Sequence, residues 1–364
     1  MLAIPKSYRR LYGHWTHFTF ANSPLPEGAG TIDFAVDGQD RVWMSVTASR
    51  RAPWKSPWGS VGVTFESVRY GIFVTDGIDW SSYQLGEREL PDVDIQHLAA
   101  ERTGRIWVYM FGIGFCRFDG HSTEVYRYGS PGLPEEEVGI VAALHVDAAD
   151  NVWAASVGFG VYRFTDDRWE KVTSAKAGIL GNFVKAICSD YEGRVCLAVE
   201  DVDHTRFVRS DQQQWELVCS VPVSGQKQED EITCFAIDES ERIWTGRRCG
   251  GLMSFQGESW YQYTEKDCPL LYGEIRSITI DEIGNVWVGT GSGFAIFDGQ
   301  AWHSWGVMYP STSHGPISRE ALLAEPSTFE KPYVYIGSYM AIDSKGRKWV
   351  STPTGIALFV PEPM

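Results

Sequence analysis

The chain has 364 residues, a net charge of −15 and fifteen tryptophans. So acidic a chain lacks the basic face that general nucleic-acid binding requires, and no apolar run reaches the roughly 18 residues of a membrane-spanning helix. The first ten residues carry no apolar core of the secretory type, so no secretion is expected.

Residues 14–20, His14-Trp15-Thr16-His17-Phe18-Thr19-Phe20, read as a lone strand with an early aromatic. A phrase then begins that recurs along the chain: an acid, a tight polar turn, Arg or Asn, an aliphatic residue and Trp. It stands as Asp37…Arg41-Val42-Trp43, Glu101…Arg105-Ile106-Trp107, Asp147…Asn151-Val152-Trp153, Asp190…Arg194-Val195-Cys196, Asp238…Arg242-Ile243-Trp244, Asp281…Asn285-Val286-Trp287 and Asp343…Arg347-Lys348-Trp349. The fourth copy replaces Trp by Cys196, and the seventh replaces the aliphatic by Lys348. The anchors lie 64, 46, 43, 48, 43 and 62 residues apart. A period in the forties with strand-like content predicts an all-β, seven-bladed β-propeller with one four-stranded blade per copy. The acid six residues before Trp is expected to bond its own turn. Its spacing lacks the oxygen cage of a calcium loop.

After each anchor comes a short loop ending in glycine: Gly71, Gly114, Gly160, Gly251, Gly293 or Gly355. Fourth strands open on Trp80, Trp169, Trp215, Trp260 and Trp302. The seventh copy has strands around Trp349 and over 356–360 but no fourth. Residues 14–20 are therefore expected to complete the seventh blade and close the ring, which removes an open strand edge. One domain is expected over 1–364. Insertions at 47–69 in blade 1 and 307–334 between blades 6 and 7 are read as lid loops meeting at one mouth of the central channel.

Seven cysteines, mostly within strands, read as reduced, buried thiols of a cytoplasmic protein. No zinc-type spacing, phosphate loop or nucleophile elbow is present, so no metal and no cofactor is expected.

The run Ser130-Pro131-Gly132-Leu133-Pro134…Val141…Asp147…Val152-Trp153, with Gly160-Val161-Tyr162-Arg163-Phe164 after it, resembles the two-component regulator propeller repeat. So does Ile275…Asp281…Gly284-Asn285-Val286-Trp287-Val288-Gly289…Gly293 to Gly299. The resemblance covers nearly the whole chain. In that family such repeats often form periplasmic sensor domains ahead of a membrane helix and a kinase. Free-standing proteins with similar repeats include the streptogramin lyases and some natural-product biosynthetic enzymes. The resemblance implies the propeller fold.

Aligning the copies on Trp locates the mouth. Thirteen residues before each anchor stand Gly30, Asp94, Ile140, Phe183, Glu231, Glu274 and Ile336, and two later Ile32, Gln96, Ala142, Lys185, Thr233, Arg276 and Ser338. Blades 2, 4, 5 and 6 thus bring charge inward. These charges either orient a polar ligand, with crowded carboxylates raised in pKa, or compensate one another as a solvated ring. The loop of blade 5 adds Arg247 and Arg248, whose forks suit a carboxylate or phosphate, or which answer nearby Glu229, Asp230 and Glu231 at the surface. Tyr109, Met110, Phe111 and Phe159 form an apolar wall or pack between blades. The insertions add Trp54, Trp58 and Tyr335 as aromatic cover. His204 and His314 are the acid–base candidates, working with Glu231 or Glu274.

The leading expectation is an intracellular propeller that binds a small polar-aromatic or anionic ligand at the lidded mouth. The alternatives are an enzyme of lyase, hydrolase or cyclase type in the same pocket, and a scaffold for a protein partner. No nucleic-acid or membrane partner is expected.

Overall fold

The computed structural model describes residues 13–26, 29–55, 61–83, 94–134, 140–172, 182–211, 214–222, 231–249, 251–291, 293–306, 339–352 and 355–361. Seven four-stranded antiparallel sheets form the ring. Six of them take consecutive strands. Blade 4, for example, runs Phe183–Ser189, Val195–Glu200, His204–Asp211 and Gln214–Pro222. The seventh sheet joins Met340–Ile342, Lys348–Thr352 and Gly355–Pro361 to Gly13–Phe18 from the other end of the chain. This is the closure expected from the sequence. Gly13 pairs with Pro361 and Phe18 with Ile356. Side chains reinforce the seam: His17 Nε2 lies 2.8 Å from Thr352 Oγ1, Phe18 stacks on Trp349, and Trp15 contacts Phe294 of blade 6 and Phe359 of blade 7.

The recurring phrase has a single physical explanation. One oxygen of the acid closes its own turn, as Asp37 Oδ1 does on the backbone N–H groups of Gln39 and Arg41. The other oxygen accepts the indole N–H of the anchor Trp. The six bonds, Trp43–Asp37, Trp107–Glu101, Trp153–Asp147, Trp244–Asp238, Trp287–Asp281 and Trp349–Asp343, measure 2.8–3.3 Å. The Arg or Asn two residues before Trp binds the same carboxylate in most copies, as with Arg41, Arg105, Asn285 and Arg347. A buried indole must place its N–H, and a buried carboxylate must be paired. This triad does both at the seam between blades. The anchor tryptophans are at most 4% exposed, so they are core residues.

The two exceptions are compensated. Blade 4 has Cys196 in place of Trp, and Arg209, directly across the sheet from it, puts a guanidinium nitrogen 3.5 Å from Asp190. In blade 7, Lys348 takes the aliphatic place. It is 1% exposed, its Nζ lies 3.7 Å from Asp281 of blade 6, and it sits 5.4 Å above the Trp287 ring.

The six glycines expected before the third strands all have positive φ, from 78° at Gly251 to 151° at Gly355, although Gly71 lies within the lengthened third strand of blade 1. At Gly114 and Gly355 a Cβ would also run into the backbone carbonyl of Tyr126 and Phe18 respectively. Only glycine combines that conformation with that proximity.

The insertion at 47–69 takes a form that the sequence reading did not anticipate. It is a β-hairpin: Val42–Lys55 and Val61–Thr75 pair, with one bulge opposite Val46 and Thr47, out to Lys55 and Val61. The second and third strands of blade 1 are simply two to three times the usual length, and they extend from the end that carries the mouth. The insertion at 307–334 lies outside the described residues. No helix among them is long and apolar enough to cross a membrane.

Candidate functional site

The first strand of each blade lines a central channel of about 1150 Å³. These strands share one irregularity. In blades 1 to 6 the pairing with the second strand slips at the same place, leaving one extra residue: Ile32, Gln96, Ala142, Lys185, Thr233 and Arg276. This β-bulge sits one turn below the mouth and re-aims a side chain there. The second of the two sets counted back from the Trp anchors thus consists, in blades 1 to 6, of the bulge residues themselves.

In blades 4 to 6 the bulge residues and their neighbours make a continuous chain of opposite charges. Lys185 Nζ lies 3.2 Å from Glu200 and 2.8 Å from Glu231. Arg248 donates from Nε to Glu231 at 2.6 Å and lies 3.5 Å from Glu274. Arg276 donates from Nε to the second oxygen of Glu274 at 2.9 Å. The arch Glu200–Lys185–Glu231–Arg248–Glu274–Arg276 therefore crosses three blades at the mouth. Each inner member holds two partners and each end holds one. Arg276 lines the channel, and among the described residues only its Nε is hydrogen-bonded, so its two terminal nitrogens keep bonding capacity.

The arch fixes its own charge states. Burial opposes ionisation of Glu231, but hydrogen bonds from Lys185 and Arg248 and their positive charges outweigh it, and its pKa falls. Burial likewise works against charged Lys185, and its two carboxylates reverse that and raise its pKa. The expectation of raised carboxylate pKa values is therefore corrected at Glu231. Cations alternate with the acids, so like charges never adjoin.

Across the channel stand groups that sequence reading passed over. Asp33 Oδ2 accepts the backbone N–H of Leu98 at 3.0 Å and lies 3.4 Å from His97 Nδ1. His97 Nε2 donates to the carbonyl of Val141 at 3.1 Å. His145 meets Ser189 at 2.7 Å, and burial pushes its imidazole down to about 4, which keeps it neutral. Thr233 donates to the carbonyl of Ile275. With Lys185–Glu231, these bonds link neighbouring inner strands from blade 1 to blade 6. Tyr339, at the entry to blade 7, lines the channel among Asp33, Glu274 and Arg276. Burial raises its phenol to about 12, so it is a neutral donor beside Arg276.

The remaining candidates are dispersed. Asp94 sits at the mouth of blade 2, its carbonyl accepting the N–H of Phe111, and Gln96 follows at the bulge. Arg247 ends a second strand with its Nε shut off from solvent, while Arg248 beside it is exposed. Tyr109 takes the second of its two expected places and does not line a ligand site. It is fully buried against Phe115 and stacks on His97, so it belongs to the core between blades. His204 opens the third strand of blade 4 opposite Pro222, outside the channel lining, and has no bond to Glu231 or Glu274 among the described residues. Trp54 pairs in backbone register with Gly62 near the tip of the long hairpin. Trp58, His314 and Tyr335 lie outside the described residues. Among those residues no cluster of His, Cys, Asp or Glu has the makings of a metal site.

No family model matches the chain, and no curated protein matches it in sequence. Solved structures match it in fold. The extracellular domain of BT3049 from B. thetaiotaomicron, described as part of a hybrid two component system, gives a TM-score of 0.64 at 15% identity over 96% of this chain. This chain spans 41% of the length of that structure. YCF48 bound to D1 peptide gives 0.59 at 13% identity, with 97% of each chain covered. A streptogramin B lyase gives 0.56 at 10% identity, over 97% of this chain and 99% of that one. The chain, a seven-bladed propeller, shares its fold with these structures. At such identities the likeness extends to architecture and not to side chains at the mouth.

Proposed function

We propose that this propeller binds a small polar ligand bearing a carboxylate or phosphate at the mouth of its channel. The observation that carries the reading is the open end of the charge arch. Arg276 spends Nε on Glu274 and keeps its two terminal nitrogens for a ligand in the channel that it lines together with the neutral phenol of Tyr339. A planar guanidinium with two nitrogens to spare suits a forked bond to an oxyanion. Glu274 and Arg248 hold it in place, so little order is lost on binding. The channel walls supply apolar area for the rest of the ligand. The extended hairpin of blade 1 rises from the same end and is placed to act as a lid. Among structures of this fold YCF48 is bound to D1 peptide, which supports reading this propeller as a binding protein. A cytoplasmic location is part of the proposal: all seven cysteines are unbridged, which suits a reducing compartment.

The test is a thermal-shift screen of small carboxylates and phosphates on the wild type and on Arg276→Gln. Compounds that raise the melting temperature of the wild type should fail to raise that of the variant, while the two unliganded proteins melt within about 2 °C of each other. Equal shifts in both, or no shift by any compound, would dismiss the reading.

A further inference from the structure

The mouth has a second, chemically different side. Large apolar side chains stand exposed there on three adjacent blades: Phe111 on blade 2, Ile140 and Phe159 on blade 3, and Phe183 and Val202 on blade 4. All five occupy the loops between second and third strands or the starts of first strands. At the same places blades 5 and 6 carry Arg248, Glu231 and Glu274. Ile140, Phe183 and Val202 are half or more exposed, at 57%, 50% and 70%.

The positions on blades 3 and 4 are joined, and Phe111 stands on the adjoining blade. Val157 donates its N–H to the carbonyl of Ile140 and bridges to Phe183 of the next blade. Gly158 donates to the carbonyl of Asn182, and a Cβ there would stand 3.8 Å from the Phe183 ring. Phe183 in turn pairs with Glu200, which opens the turn holding Val202. The lip is thus apolar over blades 2 to 4 and charged over blades 4 to 6. Contiguous exposed apolar surface of this kind marks an interaction site.

We infer that this lip docks an extended polypeptide segment that presents an apolar side chain next to a lysine or arginine. Extent argues for a polypeptide, because the patch crosses three blades and lies outside the channel lining. A ligand held by Arg276 in the channel would leave it uncovered. Charge sets the neighbour. Val202 is flanked by Asp201 and Asp203, with Glu200 before them. Arg206 answers Asp201 at 2.9 Å and Lys185 answers Glu200 at 3.2 Å. Asp203, exposed at the turn, pairs with no cation among the described residues. A basic residue beside the partner's apolar anchor would meet it, and an acidic one would be repelled. Apolar burial provides the affinity and Asp203 the discrimination.

The experiment is selection of a random heptapeptide phage library on the immobilised wild-type protein. Binding of the recovered peptides is then measured by fluorescence anisotropy to three variants: the triple change Phe159→Ser, Phe183→Ser, Val202→Ser; the single change Asp203→Lys; and the double change Glu231→Gln, Glu274→Gln. Recovered sequences should join an aromatic or aliphatic residue to Lys or Arg. They should lose at least tenfold in affinity for the triple variant and for Asp203→Lys, and bind the Glu-to-Gln pair as they bind wild type. The single change at an exposed turn keeps the test decisive if the triple variant does not fold. Recovery of acidic or patternless peptides, no recovery, or equal binding to Asp203→Lys would overturn the proposal. So would a dimer by light scattering that the triple change dissolves, since the lip would then be covered by a second copy. Peptides lost only on the Glu-to-Gln pair would assign docking to the charge arch instead.

Discussion

Replacing Trp287 tests the view that the repeated tryptophans are structural. The side chain is 1% exposed, stacks on Phe294 in its own blade, meets Phe359 of the next at a tilt, and carries Lys348 over its face. Trp287→Ala removes all of this in a rigid seam, and such truncations cost about 3–5 kcal/mol. Unfolding entropy near 2.1 cal/mol/K per residue gives about 0.8 kcal/mol/K for a chain of 364 residues. The melting temperature should therefore fall by roughly 4–7 °C. Trp287→Phe separates the hydrogen bond from the packing. It keeps most of the ring and loses the N–H to Asp281. That carboxylate still receives the side-chain amide of Asn285 and the backbone N–H groups of Asn285 and Ile283, so it is not stranded. The loss should be near the lower end for a bond to a charged group, about 1.5–2 kcal/mol, or roughly 2–3 °C. Scanning calorimetry suits the measurement, because it does not depend on the tryptophan signal being altered. If Trp287→Ala melts within 1 °C of wild type yet loses ligand binding, the tryptophan belongs to the site and the argument from repetition is wrong.

Three further outcomes are expected. Deleting residues 1–21 leaves Gly355–Pro361 as an open edge, so the protein should aggregate or lose cooperative unfolding; a truncated monomer with unchanged melting would refute closure. At Glu231 the pKa is lowered in the fold, so its stabilising effect is fully present above the ordinary carboxylate value near 4.3 and is lost as pH falls through the lower folded value. The difference in melting temperature between wild type and Glu231→Gln should hold steady from about pH 5.5 to 8 and close below about pH 4; a gap that widens on acidification would contradict the assignment. Lys348→Ile restores the aliphatic residue found in the other copies, and Asp281 keeps its neutral partners, so stability should change by less than about 1 kcal/mol or rise. A loss above about 2 kcal/mol would show that the buried ammonium is required.

The propeller was legible because its signal repeats. Acid, Arg or Asn, and Trp recur at fixed offsets, and one carboxylate binds both other groups in most blades. Lys185, Glu231, Glu274 and Arg276 were legible as charges at the mouth because alignment on Trp carries position from blade to blade. Their pairing was not. Each bulge breaks the two-residue alternation, so counting along the strand no longer says which side faces the channel. Asp33 and His97 were missed for that reason: they follow the bulge and looked like ordinary strand residues. Tyr339 shares that reason: counted back from Trp349 it stands at the same offset as Asp33 and His97 from their anchors, one residue past the aligned Ser338. The hairpin at 47–69 was read as a loop because Pro53 and the arginines at 50 and 51 interrupt the apolar alternation that marks a strand.

The joining of the first strand to the last sheet also sets a timetable. Gly13 meets Pro361, so the outermost strand of blade 7 leaves the ribosome long before any of its partners exists. At roughly 5–20 residues per second the gap is about 17–70 s. Through that interval Trp15 and Phe18 have no sheet to join, and six blades can form in order beside them. The ring can shut only when the final hairpin arrives. That makes closure the pairing with the greatest sequence separation, and the step most exposed to capture by a chaperone or by the open edge of another unfinished molecule.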